Sequence, residues 1–217
     1  MSKGLRTRRE IVDRALAMAL DVGLESVTLG TLATELELSK SGLFAHFRSK
    51  ETLQLAVVAE ASERFASVVV IPALSEPRGE PRVTALFERF LLWVKGVPAA
   101  EAGADGGPTQ FGGNRCIFMA LSEEYDDRPG EIRDALVRAQ RDWRATIERS
   151  ARVAMDEGHF RADLDATQFA FEFMGVVMTF KHALKLLDDA DAESRARVAF
   201  EGLLARSRRA RGARSAG

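Results

Sequence analysis

Apolar residues recur every three to four positions along most of the chain, which is the period of α-helices with one buried face. The first such stripe ends at Gly23, a natural helix stop, and the second follows Thr28, a good N-cap. A short third helix is predicted after Ser39. A longer fourth helix is predicted from Ser49, its cap, towards Pro72.

The middle of the chain continues the helical pattern between glycine and proline breaks. An amphipathic stripe that starts at Val83 ends near Gly96, and a short helix is predicted from Cys116 to about Tyr125. Residues 99–114 between them are rich in glycine and predict a loop. A gate for ligand entry and a passive loop are both open interpretations of this segment.

Three longer helices are predicted in the C-terminal half. The first begins after Pro129, a residue that suits a helix start, and ends at Gly158. The second begins with Asp165 and Gln168 at capping-box spacing, and the last spans about 192–206. No convincing strand and no internal repeat is found. The pattern therefore predicts an all-α fold of about nine helices.

The composition acts mainly by excluding classes of protein. With 46% hydrophobic and 29% charged residues the chain is ordinarily globular, and its net charge of −1 leaves only local basic patches to bind nucleic acid. The single cysteine, Cys116, excludes an intramolecular disulfide and a cysteine-based zinc site. Without a signal-peptide core or a long apolar run, we expect a cytoplasmic protein with no membrane partner, no cofactor and no metal site.

The most informative stretch is 28–53, which predicts two short helices joined by a tight turn, with a third helix behind them. A single helix fits the major groove of DNA and can present side chains to base edges, provided that it is rigidly held. Leu43 and Phe47 are expected to anchor the second short helix to the core. Its outward-facing residues are expected to be Lys40, Ser41, Gly42 and His46. We therefore expect a three-helix, helix-turn-helix DNA-binding head in residues 1–50.

Several consecutive segments of this stretch carry a family resemblance. They are Thr28, the apolar set Leu32, Ala33 and Leu36, the run Ser39-Lys40-Ser41-Gly42-Leu43-Phe44-Ala45-His46-Phe47, and the continuation Ser49-Lys50-Glu51 and Leu53. In this combination residues 6–60 resemble the TetR family of transcriptional regulators. The family often has glycine where Glu37 stands, so a left-handed or strained backbone, or a slightly different turn, is expected there. It often has tyrosine where Phe44 stands, and Phe44 lacks the hydroxyl that would bond a phosphate.

The resemblance implies a homodimeric, ligand-responsive repressor. Such a protein binds a palindromic double-stranded DNA operator and leaves it when a small apolar or amphipathic effector binds. The implied DNA-binding residues are Thr28, Ser39, Lys40, Ser41, Gly42, Phe44, His46 and Lys50. Among these, Lys50 and Thr28 are expected at phosphates and Lys40 and Ser41 at base edges. The open alternatives are a cap alone for Thr28, a solvated charge for Lys40 and Lys50, core packing for Phe44 and a structural histidine for His46. The N-terminal arginines, Arg6, Arg8 and Arg9, are interpreted either as contacts with the adjacent DNA backbone or minor groove or as a mobile basic end.

Residues 51–206 are interpreted as a helical effector-binding and dimerisation domain, and 207–217 as a disordered basic tail. The resemblance implies that the last two helices pair with a second copy, with packing inside one chain as the alternative. An effector pocket would be lined by large apolar side chains with few polar groups. The candidates are Phe65, Phe87, Phe90, Phe118, Gln140, Trp143, Phe171, Met174 and Met178. For each large apolar residue of this set, plain core packing is the alternative.

Two other classes of function fit parts of the sequence. Paired carboxylates can carry out acid–base chemistry or bind a metal, and Glu123, Glu124, Asp126 and Asp127 form a cluster. A solvated capping cluster beside Pro129 is the simpler interpretation, so no catalytic residue is assigned. The basic tail is typical of a non-specific architectural DNA-binding protein, which would retain all duplexes uniformly.

Overall fold

The computed structural model describes residues 3–96 and 116–209, and the predicted loop at 99–114 lies outside these ranges. The helices are α1 Lys3–Val22, α2 Leu29–Glu35, α3 Lys40–His46, α4 Lys50–Phe65, α5 Ile71–Ser75, α6 Glu80–Lys95, α7 Ile117–Tyr125, α8 Glu131–Asp156, α9 Ala166–Lys185 and α10 Ala192–Ser207. A π-helical turn, Ala66–Val70, joins α4 to α5, so the described ranges hold nine separate helical stretches. Their only β-structure is an isolated bridge between Phe160 and Arg208. The all-α prediction is confirmed.

Short-range hydrogen bonds set the helix ends where the sequence pattern places them. The Thr28 hydroxyl accepts the N–H of Thr31 at 3.0 Å, and the Thr31 hydroxyl accepts the N–H of Thr28 in return. α1 ends before Gly23, whose φ of 83° lies in the left-handed region that stops helices. At the starts of α3, α4 and α9, side-chain oxygens of Ser39, Ser49 and Asp165 also accept backbone N–H groups.

The π-helical turn has a local cause in Pro72. Proline lacks an N–H, and in a regular α-helix its ring would clash with the carbonyl four residues earlier, which belongs to Val68. A wider turn at Ala66–Val70 relieves this clash. The fourth helix therefore passes Pro72 without a break, as α4 continues through the turn into α5.

The first of two compact units comprises the described parts of Met1–Val68 and Val94–Arg141. In it α1 packs against α4 and also touches α2 and α7. The side chains of Leu53, Val57 and Ala61 from α4 are fully buried. Because α4 completes the core of the head, this compact unit continues past residue 50, and the functional division at that residue stays a prediction.

The second compact unit comprises the described parts of Val69–Trp93 and Asp142–Gly217, and in it α9 packs along α10. Its core contains a cluster of aromatic rings. Phe87 and Phe200 stack with centroids 4.0 Å apart, and Phe173 meets both rings edge-on at 6.0 and 5.7 Å. Trp143 also meets Phe173 edge-on at 6.0 Å. Such pairs add about 0.5–1.5 kcal/mol each beyond the apolar area that they bury.

The C-terminal end of α10 is tied to the second unit. Ser207 is buried, and its carbonyl accepts the N–H of Arg161 at 2.8 Å. The Arg208 guanidinium pairs with the Glu80 carboxylate at 2.6 Å. The disordered tail predicted from residue 207 therefore begins too early, because these contacts order the chain through Arg208. Residues 210–217 lie outside the described part.

Gly79 occupies a position that only glycine fits. It is buried with φ 95°, and a Cβ built on it would overlap the imidazole of His159. That imidazole accepts the N–H of Glu80 through Nδ1 at 3.0 Å, at the first residue of α6. The close approach of ring and backbone therefore depends on the missing side chain at residue 79.

We expect Gly79→Ala to lower the free energy of unfolding by about 2–3 kcal/mol, measured by urea denaturation. Left-handed strain contributes about 1–2 kcal/mol, and the displaced imidazole loses a hydrogen bond worth about 1 kcal/mol. In the His159→Ala background the substitution should cost less, because only the backbone strain remains. An equal cost in both backgrounds would show that the overlap is not the cause.

Candidate nucleic-acid interface

α3 has one face in the core and one face in solvent. Leu43 and Phe47, the residue that ends the helix, are completely buried, as predicted. Lys40, Ser41 and Phe44 are exposed, and Phe44 keeps 52% of its surface accessible. The helix is therefore held rigidly while its outward face stays available to a ligand.

The remaining predicted DNA-binding residues lie at the ends of the short helices. The Ser39 hydroxyl accepts the N–H of Gly42 at 3.1 Å, and the Thr28 hydroxyl caps α2 in the same way. His46, in the last turn of α3, is half-buried. The two hydroxyls thus have structural roles, and their contacts with DNA stay predictions.

The turn between α2 and α3 contains Glu37 in the left-handed region, with φ 53°. The N–H of Glu37 donates to the carbonyl of Thr34 at 3.3 Å. The N–H of the next residue, Leu38, donates to the carbonyl of Ala33 at 3.0 Å. The left-handed backbone expected at Glu37 is therefore present. It costs roughly 1–2 kcal/mol in a residue with a Cβ, so the hydrogen bonds and the packing of both helices must hold the turn.

In the basic N-terminal segment, Arg8 contacts the residue that ends α3, Phe47. Its guanidinium carbon lies 4.9 Å from the centroid of the Phe47 ring, within cation–π range. Arg9 is exposed on α1, and the side chain of Arg6 lies outside the described set. Arg8 is therefore placed beside the end of α3 rather than on a mobile arm.

Lys50, the first residue of α4, forms an ion pair with Glu25 in the loop between α1 and α2. Glu25 also accepts the hydroxyl of Tyr125 at 3.3 Å and lies 4.0 Å from the guanidinium of Arg128. The hydrogen bond from Lys50 lowers the pKa of the Glu25 carboxyl, so this group stays ionised. Burial raises the pKa of the Tyr125 hydroxyl, so that hydroxyl keeps its proton and donates.

The same loop is held at its backbone from two sides. The buried amide of Gln54 donates to the carbonyl of Leu24 at 2.7 Å and to that of Val27 at 3.5 Å. From α7, the carboxylate of Glu124 accepts the N–H groups of Leu24 at 3.0 Å and of Glu25 at 2.7 Å. The loop that precedes α2 is therefore fixed both by α4 and by α7.

Sequence reasoning missed Gln54, Glu25 and Tyr125. Gln54 did carry a signal, since it is a polar residue within the apolar stripe of α4. Glu124 was placed in an acidic cluster, and the structure shows that it does cap N–H groups, although they belong to a distant loop. Glu25 and Tyr125 gave no comparable signal.

Within 3–96 and 116–209 no group of His, Cys, Asp and Glu residues is arranged to hold a metal ion. No helix in these ranges combines the length and the apolar character needed to cross a lipid bilayer.

The predicted ligand-binding residues fall into both compact units. Phe65, Phe118 and Gln140 belong to the first unit, where Phe65 and Phe118 meet edge-on at 5.8 Å. The second unit holds Phe87, Phe90, Trp143, Phe171, Met174 and Met178. Phe87 and Trp143 take part in its aromatic cluster, Phe90 stacks on Trp143 at 6.0 Å, and Met174 is half-buried.

Two of these residues do not line an interior. Phe171 keeps 71% of its surface exposed and Met178 keeps 49%, because α9 turns Phe169, Phe173 and Val177 to the core instead. The placement of Phe171 and Met178 in a cavity wall is therefore wrong for the single chain. With Gly175 they form an exposed stripe at helical spacing.

α10 also carries a large exposed apolar side chain, Val198, with 72% of its surface accessible. We call Phe171, Gly175 and Met178 of α9 together with Val198 of α10 the outer face. Single exposed apolar residues are common on protein surfaces, whereas a contiguous patch of them marks an interaction surface.

Two family models match the chain. Residues 11–57 match the model described as bacterial regulatory proteins, tetR family. Residues 79–200 match the model described as tetracyclin repressor-like, C-terminal domain. The first match contains the whole of α2 and α3, and the second contains α6 through α9.

Individual proteins are similar over nearly the whole chain. The HTH-type transcriptional regulator TcmR of Streptomyces glaucescens is 27% identical over 202 residues, which cover 92% of this chain and 81% of TcmR. A TetR transcriptional regulator from Chloroflexus aurantiacus J-10-FL superposes with a TM-score of 0.77 at 21% identity, over 94% of this chain and 96% of that one. AibR in complex with isovaleryl coenzyme A and operator DNA gives a TM-score of 0.65 at 21% identity, over 91% and 95%.

Proposed function

Because the chain belongs to the TetR family of bacterial transcriptional regulators, we propose that it represses transcription from an inverted-repeat operator, which it binds in the cytoplasm as a homodimer. A small apolar or amphipathic effector releases it. The observation that carries this proposal is the geometry of α3, which is anchored by Leu43 and Phe47 and exposes Lys40, Ser41 and Phe44. A short helix held in this way fits the major groove.

The proposed DNA-binding residues divide into two roles by chemistry. Lys40 and Ser41, in the first turn of α3, supply hydrogen-bond donors for base edges. Lys50 and Thr28 contact the phosphate backbone, which positions the head without reading sequence. Phe44 has no hydroxyl for a phosphate, so its exposed ring makes an apolar contact with a sugar or with a thymine methyl group.

The outer face is the proposed dimer interface, and its occupant is a second copy of this chain. One helix-turn-helix head reads only part of an inverted repeat, and two heads must be held about 34 Å apart to dock in successive major grooves. A two-fold partner would cover Phe171, Met178 and Val198 with the same apolar residues of its own outer face. This arrangement removes the exposed apolar side chains of α9 and α10 from water.

The effector acts by binding one conformation of the dimer better than the other, since only a difference in affinity shifts the equilibrium. AibR, which shares the fold, is a protein that binds both isovaleryl coenzyme A and operator DNA. For this chain the effector candidates in the second unit are Phe87, Phe90, Trp143 and Met174. Phe65, Phe118 and Gln140 stay candidates in the first unit.

Selection from a library of random duplexes tests the proposed function. The purified protein should enrich one inverted repeat whose half-site centres lie about one helical turn apart, or a multiple of it. Uniform retention of all duplexes would instead support an architectural DNA-binding protein. Turnover of a metabolite without DNA binding would support an enzyme.

Two lysine variants separate the proposed roles on the selected operator. Lys50→Ala should weaken binding to all duplexes by a similar factor and lower its salt dependence, because a phosphate contact is lost. Lys40→Ala should change the preferred bases, with about 1–3 kcal/mol less discrimination at the position that it reads. Binding of each variant to the operator and to single-base variants of it gives the comparison. Identical behaviour of both variants would contradict the division of roles.

A further inference from the structure

We propose that Glu25 is a positioning residue that competes with DNA phosphate for the ammonium group of Lys50, and that α7 holds Glu25 in this place. The inference rests on the phosphate role proposed for Lys50. It assigns to Glu25 an influence on DNA affinity that acts through Lys50 and needs no contact of Glu25 with DNA.

The ion pair itself gives the first argument. Lys50 begins α4, where an ammonium can reach a phosphate, and Glu25 lies in the loop just before Thr28, the cap of α2. A lysine ammonium is a compact charge for which a carboxylate and a phosphate are alternative acceptors. Lys50 must therefore leave Glu25, at least in part, when it contacts the DNA backbone.

The fixed position of Glu25 gives the second argument. An exposed ion pair usually contributes little to stability, partly because two mobile side chains must be ordered. Here the N–H of Glu25 is bound by Glu124 at 2.7 Å and its carboxylate receives the hydroxyl of Tyr125 at 3.3 Å. The fold therefore already orders the side chain of Glu25 in part, which reduces the entropy lost when the ion pair with Lys50 forms.

The location of these anchors gives the third argument. Glu124 and Tyr125 both belong to the last turn of α7, outside the three helices of the head. Arg128, shortly after α7, also faces Glu25 at 4.0 Å. A displacement of α7 would loosen Glu25 and so change how readily Lys50 is released to DNA.

The exchange of partners has a measurable signature in salt. A lysine that neutralises a phosphate releases a counterion, which contributes about −0.9 to the slope of log K against log salt concentration. When Lys50 leaves Glu25, the free carboxylate takes up a cation and offsets part of this release. Removal of the Glu25 charge should therefore both tighten binding and steepen the slope.

The test is Glu25→Gln, measured with a short duplex of arbitrary sequence, because a phosphate contact does not depend on sequence. We expect binding about two- to five-fold tighter, with a salt slope steeper by up to about 0.9. The matched control is Glu51→Gln, which removes the same charge from the exposed neighbour of Lys50. Identical effects of the two variants would reduce the result to general charge repulsion and overturn the inference.

Both substitutions are then repeated in the Lys50→Gln background. The extra gain of Glu25→Gln over Glu51→Gln should disappear there, because the proposed competition needs the ammonium. A gain that persists overturns the inference. If Lys50→Gln alone leaves binding to every duplex unchanged, the phosphate role of Lys50 fails, which is a different result from failure of the competition.

Tyr125→Phe tests the part assigned to α7, since it keeps the packing of the ring and removes only the hydroxyl. We expect a smaller change in the same direction as Glu25→Gln. Unchanged affinity and slope would show that α7 does not hold Glu25. Circular dichroism spectra and melting temperatures of all variants verify that the head stays folded.

Discussion

Phe171→Asp is expected to separate the homodimer into monomers and to weaken operator binding by about 10²- to 10⁴-fold, the range lost when two linked sites act singly. In a two-fold interface each substitution occurs twice, because both copies contribute the same surface. Two carboxylates would then have to enter an apolar contact made by Phe171, Met178 and Val198. The cost of burying an unpaired charge exceeds what such a contact supplies.

Size-exclusion chromatography with light scattering, followed by binding to the selected operator, measures both effects. The matched control is Ile71→Asp, which puts the same charge in place of an exposed apolar residue on α5, a helix that does not belong to the outer face. The control should remain a dimer and bind normally. A dimeric Phe171→Asp variant would contradict the proposed interface.

Phe47→Ala should destabilise the head by about 3–5 kcal/mol, the usual cost of deleting a buried aromatic ring. The Phe47 side chain is completely buried, and its ring also receives the guanidinium of Arg8 at 4.9 Å. Without it α3 loses its C-terminal anchor, so DNA binding should fail together with stability. Thermal denaturation followed by circular dichroism gives the comparison with the unchanged chain.

Phe44→Ala is the matched variant, since it deletes the same ring from the exposed face of α3. Its stability should stay within about 0.5 kcal/mol of the unchanged chain, while binding to the operator weakens. Stability and binding are thus expected to separate at these two phenylalanines. An equal loss of stability in both variants would contradict the orientation of α3.

The sequence predicted those features whose causes are local. Thr28, Ser39 and Ser49 cap helices through N–H groups three residues away, so the pattern alone identified the starts of α2, α3 and α4. The left-handed turn at Glu37 was expected because the resembling family often has glycine there. The buried anchors of α3 followed from helical periodicity in the same way.

Features with distant causes were not predicted. Glu124 binds a loop that lies 100 residues earlier in the chain, and no local pattern indicates that pairing. α9 is apolar on more than one face, so periodicity did not reveal that Phe171 would face solvent while Phe173 faces the core. The basic composition around Arg208 indicated disorder, whereas its pairing with Glu80 orders that residue.

The left-handed residue at Glu37 also keeps α2 and α3 from fusing. A chain that turns left-handed for one residue cannot continue as a single right-handed rod, whatever helix-forming residues follow. The angle between the two helices is therefore set at Glu37, which precedes residues 40–46, the segment that would read the bases. Exchange of that segment alone, with Leu43 retained, would give a protein with the old docking pose and a new target sequence.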